Sequence, residues 1–296
     1  MESAWSRIPE RRPSFKLMRE ILDNIYPVKG ELMDNLIKML EKYSTDLEDI
    51  VVERTRELQA EKARTELLVS QILPKKVVED LKQGKKVVPE SFDCVTIYFS
   101  DVVGFTKIAA ISNPLQVVDL LNDLYTTFDS ILDSYDVYKV ETIGDAYMVV
   151  SGLPVRNGEL HAGEIATMSL DLLSSMYDFK IRHMPEEILQ LRIGMHSGPC
   201  VAGVVGLKMP RYCLFGDTVN TASRMETSSM ALRIHVSEHT AKILLKLGSY
   251  YLECRGERQV KGKGTTTTYW LNGKKGFSKK LLPAEMAASL SKHEFK

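Results

Sequence analysis

Two aspartates stand where predicted strands end, and acidic residues in such places are candidate ligands of hard cations. Asp101 closes an apolar strand pattern in FSDVVGFT, residues 99–106, and Asp145 lies at a predicted tight turn in KVETIGDAY, residues 139–147. Either aspartate alone is more typical of a turn. Together they could form a site for hard cations, and paired hard cations are a common means of activating a hydroxyl for attack on phosphorus. The pair therefore predicts chemistry at a phosphate group.

Two further residues could recognise a purine base. Glu141 lies four residues before Asp145, and Cys213 lies in RYCLF, residues 211–215. Guanine offers N–H donors at N1 and N2 and an acceptor at O6, so a carboxylate and a thiol complement it. Adenine would need a cationic donor and a carboxylate instead. The pair favours guanine, although Glu141 alone could be a surface residue and Cys213 a small buried one.

A third group of polar and basic residues could contact phosphate groups. Asn220 and Arg224 lie in DTVNTASRME, residues 217–226, at a spacing that places both on one helix face. Lys261 lies in the glycine-rich VKGKG, residues 260–264, and Lys208 in GLKMP, residues 206–210. A helix N-terminal network is the alternative for Asn220 and Arg224, and a solvated turn is the alternative for Lys261. The chain contains no Walker-type phosphate loop, so side chains, metal ions and strand-end backbone would have to hold the phosphates.

The elements that must position these residues alternate between strand and helix patterns. The predicted order is β-α-β-β-α-β, an α+β arrangement of the ferredoxin-like, split-βαβ type, followed by further helices and strands. The predicted strands cover residues 94–100, 137–143, 147–151, 190–197 and 200–205, and the predicted helices cover residues 113–135 and 159–182. Residues 190–197 and 200–205 are predicted as two strands because Ser197, Gly198 and Pro199 form a typical turn sequence. In this order, the strand that ends at Asp101 neighbours the hairpin that carries Asp145.

Residues 31–73 predict one long helix that ends at Pro74. Two seven-residue series interleave at spacings of three and four, which is the pattern of a coiled coil. Seven of the eleven positions are apolar; the members are Ile37, Leu40, Ser44, Leu47, Val51, Arg54, Leu58, Glu61, Thr65, Leu68 and Ile72. We expect a dimeric coiled coil. A single amphipathic helix lying on the next domain is the alternative.

The two ends of the chain predict smaller segments. Residues 1–30 contain Trp5 and PERRPSF, residues 9–15, and resemble the closing segment of a protein-kinase-like domain. The kinase catalytic motifs are absent, and a disordered basic segment is the alternative. Residues 273–296 are rich in lysine and predict a flexible, solvated tail. The domain boundaries that we predict are therefore 1–30, 31–73, 74–272 and 273–296.

Composition narrows the classes of protein further. The chain has 296 residues, of which 44% are apolar, with 39 basic and 39 acidic residues. This balance of charge argues neither for nor against a nucleic-acid partner, and we expect none. No apolar stretch reaches the roughly 18 residues that a membrane span needs, and no signal peptide is visible. The four cysteines lack paired C-x-x-C spacing, so we expect reduced thiols in a cytosolic setting.

The motifs together resemble those of class III nucleotidyl cyclases, and among them the guanylate cyclases of the membrane-receptor type. The resemblance covers residues 74–272 strongly and residues 1–73 more loosely. It implies that Asp101, Asp145 and the carbonyl of Val102 bind two Mg²⁺ or Mn²⁺ ions. It also implies that Asn220 contacts the ribose and Arg224 the α-phosphate.

The resemblance adds the remaining roles. Lys261 would contact the β- and γ-phosphates, with Lys208 as a second contact. Glu141 and Cys213 stand where adenylate cyclases of this type carry lysine and aspartate.

The same resemblance implies a homodimer. In the family, one cyclase domain supplies the metal-binding residues and its partner supplies the base-recognising, asparagine, arginine and lysine residues. This chain contains both sets, so a head-to-tail pair would build two equivalent sites. The expected reaction is conversion of GTP to 3′,5′-cyclic GMP and pyrophosphate. We expect this chain to be soluble and to lie on the cytoplasmic side of a single-pass plasma-membrane receptor.

Three other functions fit parts of the sequence. An adenylate cyclase is disfavoured by Glu141 and Cys213. A non-catalytic dimerisation or scaffolding module is disfavoured because Asp101, Asp145 and Arg224 are all present. A truncated chain that acts as a dominant partner of a longer one is the third.

Overall fold

The computed structural model describes residue 9 and residues 12–25, 32–206 and 209–283. It divides the chain into two compact units, Met1–Gln71 and Ile72–Lys296. No helix in these ranges is both long enough and apolar enough to cross a lipid bilayer.

The first unit is helical. Helix α1 covers Phe15–Ile25, and helix α2 covers Leu32–Ile72 without interruption, as the sequence predicts for residues 31–73. The apolar heptad positions from Ile37 to Leu68 are all exposed in the single chain; Leu40 is 64% exposed and Leu58 is 68% exposed. The predicted kinase-like segment falls partly outside the described residues, and its identity stays a prediction.

The second unit contains six helices and eight strands within its described residues. They are α3 Lys75–Lys82, β1 Glu90–Val102, α4 Phe105–Ile111, α5 Pro114–Leu132, β2 Tyr138–Ile143, β3 Ala146–Ser151, α6 Leu160–Ser175, β4 Leu191–Val205, β5 Arg211–Phe215, α7 Asp217–Thr227, β6 Arg233–Ser237, α8 Glu238–Leu247, β7 Tyr250–Val260 and β8 Gly264–Lys274.

One mixed sheet joins all of these strands. Its order is β2-β3-β1-β4-β6-β8-β7, and β5 pairs with β4 beside this path. The first four strands, with α5 and α6 as their connections, form the predicted ferredoxin-like β-α-β-β-α-β core. All neighbouring pairs are antiparallel except β4 with β6. Because β1 lies between β3 and β4, the end of β1 is next to the β2–β3 turn.

The helices cover the sheet on both faces. The buried core contains side chains from α5, α6 and α8, together with Ile193 and Met195 of β4. The residue between them, Gly194, faces the backbone of α7 instead. Since successive residues of a strand point to opposite faces, α7 packs on the face away from α5, α6 and α8.

The predicted division of β4 into two strands is wrong. Leu191–Val205 is one continuous strand that runs through Ser197, Gly198 and Pro199. Pro199 has no N–H to donate, and the pairing of β1 with β4 shifts register between Phe92 and Val95, which accommodates it. A Cβ on Gly198 would lie 2.6 Å from Thr218 Oγ1, so this glycine serves close packing rather than a turn.

Two other boundaries differ from the predictions. Helix α6 ends at Ser175 rather than near residue 182, because the chain turns to bury Ile181 in the core. The lysine-rich segment after β8 is packed at its start: Leu282 is 6% exposed, and Lys279 Nζ lies 2.8 Å from Asp171 Oδ1. Residues 284–296 lie outside the described residues.

Candidate active site

The two predicted metal ligands, Asp101 and Asp145, lie side by side at one edge of the sheet. Asp101 is the penultimate residue of β1, and Asp145 lies in the turn between β2 and β3. The Val102 N–H donates to Asp145 Oδ2 at 3.2 Å, which fixes the turn against the end of β1. Burial and the adjacent carboxylate of Asp101 raise the pKa of Asp145 to about 6. Two carboxylates held together in this way favour binding of a cation.

The donor set fits a hard divalent ion. Within the described residues, no group of three or more histidine, cysteine or acidic side chains is placed to hold a metal. A cation at Asp101 and Asp145 would complete its shell with backbone oxygen such as the Val102 carbonyl, with water and with substrate phosphates. Mg²⁺ is usually bound in this manner, through one or two carboxylates and phosphate oxygens.

Sequence reasoning missed an arginine beside this pair. Arg192 of β4 lies opposite Asp101 in the strand pairing, and its Nη2 donates to Asp101 Oδ2 at 3.0 Å. Its Nε donates to Glu226 Oε1 of α7 at 2.6 Å. Arg192 thus ties the carboxylate pair to the helix that carries Arg224. A basic residue inside an apolar strand pattern was the only sequence signal for Arg192. Its partner, Asp101, can be identified only from the register of the β1–β4 pairing.

The predicted base-recognising residues, Glu141 and Cys213, line one cavity of about 440 Å³. Glu141 is exposed on β2, directly after an irregularity in the β2–β3 pairing, and Cys213 is half-buried on β5. Apolar side chains form much of the remaining wall; they include Phe99, Val140, Met148, Leu214 and Val219. A cavity with largely apolar walls, a carboxylate and a thiol suits a purine base.

Asn220 and Arg224 share one face of α7, as their spacing predicts. Asn220 is exposed, and the Arg224 guanidinium donates to the backbone carbonyl of Lys261 in the β7–β8 turn. A second contact, the ion pair of Lys263 with Asp217, holds the same turn to the start of α7. Lys263 lowers the pKa of the Asp217 carboxyl below its usual value.

The exposed side chain of Lys261 extends from this anchored turn. Lys208 lies outside the described residues.

The cavity of Glu141 and Cys213 does not include the other predicted site residues in its described lining. Asp101 and Asp145 are absent from that lining, and so are Asn220 and Arg224, although α7 contributes Val219 and β2 contributes Thr142. The cavity therefore accounts for recognition of a base but not, by itself, for contacts with a sugar, phosphates or metal ions.

Comparisons with known proteins agree with this fold. The profile of the family described as "Adenylate and Guanylate cyclase catalytic domain" matches residues 87–273. Retinal guanylyl cyclase 2 of Bos taurus is 59% identical over 283 residues, which are 95% of this chain and 26% of the relative. Retinal guanylyl cyclase 1 of Rattus norvegicus is 56% identical over 296 residues, which are 99% of this chain and 27% of the relative.

A solved structure shares the same architecture. The guanylate cyclase domain of RhGC from Catenaria anguillulae, crystallised in complex with GTP, superimposes with a TM-score of 0.60 at 40% identity. The match covers 63% of this chain and 100% of that domain. The sheet order and the carboxylate pair define a class III nucleotidyl cyclase fold. The chain belongs to the adenylate and guanylate cyclase catalytic domain family, and it spans about a quarter of the length of the retinal cyclases that it matches.

Proposed function

We propose that this chain is a guanylate cyclase that converts GTP to 3′,5′-cyclic GMP and pyrophosphate. The observation that carries the proposal is the cavity lined jointly by Glu141 and Cys213. A carboxylate there can accept from guanine N1 and N2, and a thiol can donate to O6. Adenine does not complement these two groups. Its N6 amino donor would face the thiol donor, and its N1 acceptor would face a carboxylate that can only accept.

The reaction is an in-line displacement at the α-phosphorus. The ribose 3′-oxygen forms a bond to that phosphorus, the bond to the bridging oxygen of the β-phosphate breaks, and the 3′-hydroxyl proton passes to solvent. Asp101 and Asp145, with the Val102 carbonyl, would hold two Mg²⁺ or Mn²⁺ ions. Such ions lower the pKa of the attacking hydroxyl and offset the charge of the triphosphate.

The side chains of α7 and the β7–β8 turn serve the sugar and phosphates in this proposal. Asn220 orients the ribose so that its 3′-oxygen faces the α-phosphate. Arg224 donates to the α-phosphate oxygens, where negative charge grows during attack. Lys261 contacts the β- and γ-phosphates, and Lys208 supplies a second contact.

We further propose that the active form is a head-to-tail homodimer with two composite sites. Each site would take Asp101 and Asp145 from one chain and Glu141, Cys213, Asn220 and Arg224 from the other. The presence of both sets of residues in one chain supports this arrangement. The exposed heptad positions of α2 support a coiled coil that raises the effective concentration of the two cyclase domains.

The coiled coil can be tested by its register. Insertion of four residues after Leu47 rotates the following seam relative to the preceding one, whereas insertion of seven preserves it. We expect the first insertion to change basal cyclase activity and the second to leave it near the wild-type value. Equal activity in both proteins would contradict control through helix register.

The setting of the chain is proposed by analogy. We propose, from the resemblance of its motifs to those of receptor-type guanylate cyclases, that the chain lies on the cytoplasmic side of a single-pass receptor, after a kinase-like domain. No observation favours the scaffolding role, since the predicted metal, base and phosphate residues are present.

The decisive experiment measures product from purified chain supplied with GTP or ATP and with Mn²⁺ or Mg²⁺, over a series of protein concentrations. We expect cyclic GMP from GTP, little product from ATP, and specific activity that rises with protein concentration as dimers form. Absence of product in a sample shown to be dimeric would overturn the proposal in favour of the scaffolding role. Equal use of ATP would overturn the assignment of the base.

A further inference from the structure

The β2–β3 hairpin carries two residues with different proposed tasks. Glu141, on β2, belongs to the base cavity, and Asp145, in the turn, belongs to the carboxylate pair. Helix α5 packs beside this hairpin and contacts it with polar side chains at two levels. One contact is made at the turn and the other near the base of the hairpin.

The contact at the turn comes from Tyr125. Its hydroxyl donates to the carbonyl oxygen of Gly144, the residue immediately before Asp145. Gly144 has a φ of 63°, so the turn depends on a glycine in the left-handed region. The Tyr125 ring also packs on Tyr147, which is fully buried, with ring centroids 5.7 Å apart. The phenol is therefore fixed in orientation and can hold the peptide that leads into Asp145.

The contact near the base of the hairpin is built around Asp129. Lys139 Nζ lies 2.7 Å and 2.9 Å from its two carboxylate oxygens, and the Tyr147 hydroxyl donates to the same carboxylate. The Lys139 ammonium also lies over the Tyr147 ring at 5.0 Å. Lys139 stands directly before the irregularity in the strand pairing that precedes Glu141. This ion pair therefore fixes the part of β2 from which Glu141 projects.

We propose that Tyr125 is a positioning residue for the metal half of the site: its hydroxyl holds the Gly144 peptide so that Asp145 faces Asp101. The Asp129–Lys139 pair has the corresponding task for Glu141 and the base half. The inference rests on the proposed function only in taking Asp145 as a metal ligand and Glu141 as a base contact. The two contacts share Tyr147, and Lys139 Nζ also lies over the Tyr125 ring at 5.6 Å, but the Tyr125 hydroxyl and the Lys139 ammonium can be removed one at a time. Loss of the hydroxyl should mainly affect the metal half of the site, and loss of the ammonium should mainly affect the base half.

The first test removes only the hydroxyl, in Y125F. In the metal-free protein, amide hydrogen exchange should become faster in residues 142–147 and stay unchanged elsewhere, because the ring remains to pack on Tyr147. Mn²⁺ binding can be followed by electron paramagnetic resonance in the presence of a dideoxy GTP that cannot cyclise. Its dissociation constant should rise by about three- to tenfold, which corresponds to the net free energy of one hydrogen bond. The ratio of kcat/KM for GTP to that for ATP should stay at the wild-type value.

Three comparison variants make the result decisive. Y251F alters an exposed tyrosine on β7 and should match the wild type in every readout. K139M should reduce the GTP-to-ATP ratio by a larger factor than it weakens Mn²⁺ binding. D145N is the reference for complete loss of the metal site, since it should not bind Mn²⁺.

These outcomes distinguish the proposed metal site from the proposed role of Tyr125. If D145N binds Mn²⁺ as well as the wild type does, the metal assignment of the proposed function fails. If D145N loses Mn²⁺ but Y125F binds it normally, the positioning role of Tyr125 is overturned. If Y125F exchanges faster throughout the domain, Tyr125 serves general packing and the inference is equally overturned.

Discussion

Gly194 lies directly against the backbone of Glu226, so that a Cβ at this position would stand 1.9 Å from the Glu226 nitrogen and 2.4 Å from its Cα. No side-chain adjustment can relieve that overlap, because the opposing atoms are main chain. The absence of a side chain at one residue of β4 thus sets how closely α7, with Asn220 and Arg224, approaches the sheet.

The first prediction follows from this contact. In G194A, α7 must move away from β4, and overpacking of this kind costs about 1–3 kcal/mol of unfolding free energy. For a domain of this size the melting temperature should fall by about 2–4 °C for each kcal/mol. Calorimetry and cyclase assays check both effects, and kcat should fall because Arg224 moves with the helix. G273A, where a Cβ would meet only ordinary contact at 3.4 Å, is the matched control. A G194A protein with wild-type stability and activity would contradict the conclusion that Gly194 fixes the position of α7 on the sheet.

The second prediction concerns the base. Replacing Glu141 with Lys and Cys213 with Asp supplies the cationic donor and the carboxylate that adenine needs. We expect E141K/C213D to prefer ATP, measured as the ratio of kcat/KM for the two nucleotides. Either single substitution should reduce GTP turnover without creating efficient ATP turnover, because each leaves one wrong partner. A double variant that still forms only cyclic GMP would show that these residues do not choose the base.

The core of the fold and the carboxylate edge could be predicted because their signals are local. The apolar, β-branched and aromatic run of residues 94–100 and the Gly144-Asp145 turn predicted adjacent strands, and the structure contains them. The continuity of β4 could not be predicted, since Ser197, Gly198 and Pro199 have turn chemistry and only a shift of register in β1 makes room for them. Arg192 and Tyr125 were missed for a related reason. Their partners, Asp101 and the Gly144 carbonyl, are far away in sequence and are defined by strand pairing and helix packing rather than by local spacing.

The third prediction concerns acid stability. Burial lowers the pKa of His161, His196 and His235 to about 4 each, and all three are hydrogen-bonded inside the domain. The unfolded chain binds protons at these rings near their usual pKa of 6.5, so between about pH 6.5 and 4 it binds more protons than the folded chain. Stability should therefore decline as the pH falls, by up to about 1.4 kcal/mol per pH unit for each histidine. Asp145 acts in the opposite sense below about pH 6, since its pKa is raised in the folded state.

Urea unfolding at several pH values between 7 and 4.5 measures this slope. In H161Q one titrating imidazole is removed. The slope of the unfolding free energy against pH should therefore decrease by the contribution of one histidine, which is at most about 1.4 kcal/mol per pH unit. The absolute stability of H161Q at pH 7 is a separate matter, because Thr96 Oγ1 hydrogen-bonds this ring at 2.7 Å. An unchanged slope in H161Q would show that His161 binds its proton equally in both states.

The fourth prediction tests whether the two sets of residues act across chains. D145N removes the metal half of a site and R224Q removes the phosphate half, so each variant alone should be inactive as a homodimer. In a heterodimer of the two, one composite site loses both halves and the other is intact. Such a heterodimer, purified through two different affinity tags, should have about half of the wild-type activity per dimer.

The matched control pairs D101N with D145N. Both substitutions lie in the metal half, so every composite site of that heterodimer contains one damaged carboxylate and none is intact. We expect no recovery of activity from this pair, although it assembles through the same surfaces. Recovery in both heterodimers, or in neither, would contradict a division of the active site in which Asp145 and Arg224 of one chain serve different nucleotides.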